Sequence, residues 1–118
     1  FFGGNGYEIV DQKQYAPDEI TFQNIWGVSD EDSYAKAIRT LGQRARSGRP
    51  FFAHIMSVSN HRPYTYPAGR IPIPNDAKSR AGGVMYSSSA ALLKLPQSAT
   101  WTKASSCGLY MVCPPCLF

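Results

Sequence analysis

"SDEDSYAKAIRTLGQRARSGRPFFAHIMSV", residues 29–58, holds a helix and a strand in direct succession. Ser29 and Asp32 have the spacing of a capping box, in which each side chain satisfies an amide left unpaired at a helix start. Asp30, Glu31 and Asp32 complement the positive end of the helix dipole, and Arg44 and Arg46 the negative end. Tyr34, Ile38, Leu41 and Ala45 recur at helical spacing and form one apolar face, and Gly48 supplies the stop. Phe51–Val58 follows at once. It is apolar on both faces apart from His54 and Ser57, the pattern of an interior strand in a parallel sheet covered on both sides. A helix feeding such a strand is half of a βαβ unit, so the expected class is α/β with a mostly parallel central sheet.

Ligands of open α/β sheets bind beyond the carboxyl ends of the strands, and "SNHRPYTYP", residues 59–67, lies there. His61 offers a titratable ring, Asn60 a donor and Arg62 a fixed cation, while Pro63 stiffens the turn. That set suits an anionic oxygen such as phosphate or sulfate, although a surface loop with a structural histidine has the same composition. His54, inside the strand pattern, reads as a core histidine bonded to a backbone carbonyl. Trp26, beside Gly27, fits a packing residue and a platform at a pocket rim equally well. Upstream, "DEITFQNIWGV" alternates loosely and reads as a short strand or an extended approach. The opening "FFGGNG" matches neither the P-loop nor the dinucleotide fingerprint.

Residues 1–86 carry all eight acids and ten of the twelve basic residues, a nearly balanced region. The remaining Lys94 and Lys103 do not make a one-faced basic patch, which argues against nucleic acid as a partner. There is no apolar run near the ~18 residues that a membrane span needs. The chain starts with Phe1 in a glycine-rich phrase and reads like a piece of something longer, so any anchor is expected upstream.

Residues 87–118, "SSSAALLKLPQSATWTKASSCGLYMVCPPCLF", have a different character. They hold all three cysteines and no acid, and neither helical nor strand periodicity is sustained. Cys113 and Cys116 are spaced CxxC with Cys107 upstream, but a structural zinc needs a fourth ligand and the nearest histidine is His61. The expectation is an irregular tail, either a linker with a small extra element or a sequence read out of frame.

"GNGYEIVDQ", "NIWGVSDED", "PFFAHIMSVSNHRPYTYPAGRI" and "IPIPNDAKSRAGGVMY" occur in the order and spacing of one family. Over about residues 1–86 the chain resembles the lipoteichoic acid synthase-like phosphoglycerol transferases, a sulfatase-type branch of the alkaline phosphatase superfamily. The resemblance implies an internal segment of an α/β/α sandwich whose parent enzyme is membrane-anchored, with its catalytic domain outside the cytoplasmic membrane. It implies a divalent metal, manganese or magnesium, and a threonine or serine nucleophile that takes a phosphoglycerol head group from a glycerophospholipid to an acceptor. On that resemblance His61 is the head-group histidine and Trp26 walls the same pocket, with Asn60 and Arg62 beside them. The family's nucleophile and acidic metal ligand lie upstream of these phrases and its Asp-His metal pair downstream, so neither catalytic nor metal-ligating residues are expected here. The similarity favours the out-of-frame reading of the tail, because the family continues after Tyr86 with a charged helix. Two other readings stay open: a non-catalytic anion-binding module, and a small basic cysteine-containing interaction protein.

Overall fold

The computed structural model describes residues 3–76 and 78–94, together with the backbone of strands at 100–105 and 108–113. Three short 3₁₀ turns, Gly3–Asn5, Gln12–Gln14 and Pro17–Glu19, lead into a hairpin of β1 (Gln23–Asn24) and β2 (Gly27–Val28). Helix α1 (Asp30–Ala45) and strand β3 (Phe51–Met56) follow, then a long loop to helix α2 (Arg80–Lys94). Strands β4 (Thr100–Ser105) and β5 (Gly108–Cys113) complete a sheet of order β3-β5-β4. The α/β class holds.

α1 starts and stops where its sequence says. Ser29 Oγ accepts the Asp32 amide at 3.2 Å, and Gly48 turns the chain with a φ of +66°. The reciprocal half of the capping box does not form. The Ser29 amide donates instead to the Phe22 carbonyl at 2.8 Å, and the Asp32 carboxylate turns outward to the Thr21 and Phe22 amides. A tertiary partner has displaced a local one.

The strand corrects the expectation of a covered, parallel interior position. β3 pairs antiparallel with β5, and burial alternates along it: Phe51, Ala53 and Ile55 half-buried, Phe52, His54 and Met56 exposed. An antiparallel sheet can leave one face to solvent, and both helices pack on the other. There Tyr34 and Ala90 form the core, with Ile38, Ile55 and Ala91 against them. His54 therefore lies on the exposed face and is not a core histidine. The boundary read at residues 86/87 falls inside α2, and the paired strands β4 and β5 follow it. Gly82, Gly83, Tyr86 and Ala90 are the buried residues of α2. A face of small residues lets the helix approach closely, although Gly and Ser are weak helix formers. The side chains of Cys107, Cys113, Cys116 and Lys103 lie outside the described residues.

Glu19 ties the N-terminal turns to α1, pairing with Lys36 at 2.8 Å and with Arg39. The Lys36 hydrogen bond, then the Ala16 amide, lowers its carboxyl from 4.5 to about 2. A pKa below its unfolded value means stability that is present above about pH 4.5 and lost as pH falls through about 2. Thermal melts across that window should show the wild-type chain losing its advantage over Glu19→Gln on acidification. Parallel curves for the two proteins would show that Glu19 does not titrate differently on folding.

Candidate functional site

Trp26 sits at the tip of the β1–β2 hairpin, more than thirty residues from His61 in sequence, and the fold brings their rings to 5.2 Å at a tilt of 35°. Asn24 shapes the tip: its Oδ1 accepts the Trp26 amide at 2.9 Å, and its Nδ2 donates to Thr65 Oγ1 at 3.1 Å. The indole Nε1–H of Trp26 donates to the Arg62 carbonyl. Hairpin and loop are thus joined by two hydrogen bonds in addition to the ring contact.

The loop is held from below. Asp30, fully buried at the first turn of α1, accepts the Val58 amide at 2.7 Å, the Ser59 amide at 3.3 Å and the Ser57 hydroxyl at 2.9 Å. Ser57 Oγ also lies 2.7 Å from Ser87 Oγ of α2. The His61 amide closes a turn onto the Val58 carbonyl at 3.2 Å. On the far side Tyr66 stacks on Tyr86 at 5.2 Å, and its hydroxyl donates to the Ile73 and Pro74 carbonyls. Burial raises both phenols, Tyr86 to about 12, so both are neutral near pH 7.

Of the residues singled out in the sequence, Trp26, His61 and Arg62 come together, and Asn60 sits half-buried in the same turn. Arg62 contributes in a way composition could not show, since its carbonyl holds the indole while the residue itself is exposed. His61 is half-buried against Trp26, not a free loop side chain, and its Nε2 is buried with no hydrogen-bond partner among the described residues. The roles of Asp30 and Ser57 do not show in the sequence. Asp30 looks like an ordinary helix-dipole acid, and nothing in a one-dimensional pattern shows that its carboxylate faces the next strand end.

A cleft of about 890 Å³ lies elsewhere, between residues 5–10, α1 and β3, and none of the four candidate residues lines it. No three His, Cys, Asp or Glu side chains gather into a metal site among the described residues. They do not fit the divalent metal on which sulfatase-type chemistry generally depends. No helix among the described residues is long and apolar enough to cross a membrane.

No solved structure matches the chain. A sequence model of the sulfatase family matches residues 1–80, which contain the hairpin, α1, β3 and the whole His61 loop. The α/β fold agrees with that match, and the chain belongs to the sulfatase family, within the sulfatase-type alkaline phosphatase superfamily.

Proposed function

We propose that the Trp26–His61–Arg62 cradle binds the anionic head group of a phosphoglycerol donor, as part of a sulfatase-like phosphoglycerol transferase acting on glycerophospholipids at the outer side of a cytoplasmic membrane. The observation that carries this reading is the unpartnered Nε2 of His61. Buried polar atoms are almost always hydrogen-bonded, and one without a partner, in the residue before an exposed arginine, is suited to an arriving acceptor oxygen. Trp26 supplies a flat apolar wall, which suits the carbon skeleton of a glycerol unit, and its own N–H is already committed to Arg62. These residues bind and orient. The chemical step needs a nucleophile and a metal that they do not supply, so the chain by itself recognises the head group without turning it over.

Calorimetric titration with glycerol 3-phosphate tests this. His61→Ala removes a charge-assisted hydrogen bond worth ~1.5–3 kcal/mol, so Kd should rise roughly ten- to a hundredfold. His54→Ala, on the exposed face of β3, should leave Kd unchanged. Equal affinities for wild type and His61→Ala would remove the basis of the reading. Running sulfate and inorganic phosphate beside glycerol 3-phosphate separates a sulfate-ester site from a phosphoglycerol site.

A further inference from the structure

Asp30 is the most deeply buried acid of the described residues, with no exposed surface, and no ion pair among them includes it. Burying a carboxylate is costly unless it is well hydrogen-bonded, so its place needs a reason. Helix capping is not that reason, because Ser29 already caps α1. Nor does Asp30 bridge helix to helix directly. Its acceptors are taken by Ser57, Val58 and Ser59, the residues that carry the chain from β3 into the His61 turn.

Two short tethers meet at this carboxylate. One runs back through Ser29, Val28 and Gly27 to Trp26, and is fixed by the Ser29 amide on the Phe22 carbonyl at 2.8 Å. The other runs from Ser59 through Asn60 to His61, and is fixed by the His61 amide on the Val58 carbonyl at 3.2 Å. We infer that Asp30 is a positioning residue, whose carboxylate sets the spacing and tilt of the Trp26–His61 pair and thereby the aim of His61 Nε2. The inference rests on the head-group reading only for what the pair binds. The geometry of the pair is a separate matter and is tested separately.

The test uses the full 118-residue chain in three forms: wild type, Asp30→Asn and Asp30→Glu. Asn keeps a carbonyl oxygen for the Val58 and Ser59 amides, and its NH₂ can donate to Ser57 Oγ. Glu keeps the charge and the acceptors but moves them outward by one methylene, which separates the presence of a buried acid from its position. Two NMR signals report the rings: hydrogen exchange at the Trp26 indole N–H, assigned against Trp101 with Trp26→Phe, and the ring-current shift that Trp26 imposes on the His61 ring protons. Circular dichroism reports the fold, and glycerol 3-phosphate titration reports binding. Asp30→Asn should retain both ring signals and bind within about threefold of wild type, while folded Asp30→Glu should lose both signals and bind roughly tenfold more weakly. An Asp30→Glu chain that folds and keeps the ring signals overturns the inference. Unfolding of both variants overturns it too, since Asp30 would then serve general stability. If the ring signals respond as expected but wild type binds no glycerol 3-phosphate, the positioning role stands and the head-group reading fails.

Discussion

Gly83→Ala is expected to destabilise the chain by about 2–3 kcal/mol, net of the ~1 kcal/mol that Ala contributes as a better helix former than Gly. A Cβ at position 83 would sit well inside van der Waals contact of the Ser59 carbonyl oxygen and 3.2 Å from Tyr64 Cβ. The obstacle is backbone, and this backbone is itself pinned, because the Ser59 amide is bonded to Asp30 at 3.3 Å. Either α2 lifts off or the His61 turn moves. Lifting α2 separates Ala90 from Tyr34 and Ile55, and moving the turn displaces His61. For a chain of this size the melting temperature should fall by roughly 8–12 °C. Gly42→Ala is the matched control. It lies in α1, where an added methyl would meet no heavy atom within 4 Å, and should gain about 0.5–1 kcal/mol. If both alanine variants are equally stable, α2 does not pack on the loop as described.

How much of this is legible in the sequence depends on whether an interaction is local. α1 is readable because its caps, dipole charges and apolar stripe all lie within one segment. The Trp26–His61–Arg62 set is readable as a chemical type, and its joining is not, since nothing local brings a hairpin tip at residue 26 to a turn at residue 61. β3 shows the opposite failure. An apolar run fits a strand covered on both faces, yet which faces are covered depends on partners, and the partner here is an antiparallel strand at 108–113. α2 is hidden because its contact face includes Gly82, Gly83 and Ala90, residues that carry little hydrophobic signal and matter by being small. Asp30 and Asp32 suit the helix dipole on sequence, an electrostatic role that needs no burial. Both instead reach out of the helix to another segment, one to the loop after β3 and one to the approach to the hairpin.

Asp32→Ala should be the more damaging lesion of the α1 start. Its carboxylate accepts the Thr21 amide at 2.9 Å, the Phe22 amide at 3.3 Å, the Thr21 hydroxyl at 3.0 Å and the Ser29 hydroxyl at 2.9 Å. Truncation leaves two backbone amides and a buried hydroxyl without their acceptor, and leaving such a group unpaired costs ~1–3 kcal/mol. Water can reach Thr21, which is exposed, and recover part of that loss. The Phe22 amide and the Ser29 hydroxyl are less accessible, so the expected total is about 3–4 kcal/mol in chemical denaturation. Asp32→Asn keeps one carbonyl oxygen and should cost about half as much, because a neutral acceptor still serves the Thr21 and Phe22 amides. The damage should also be directional. Thr21 and Phe22 lead into β1, so hydrogen exchange should quicken first at the hairpin amides 23–28 and at the Trp26 indole, while the α1 interior stays protected. Uniform acceleration along α1 would mean that Asp32 acts as an ordinary helix-start charge. A loss below about 1 kcal/mol would mean that the hairpin is held by its other bonds, chiefly the Asn24–Thr65 link at 3.1 Å.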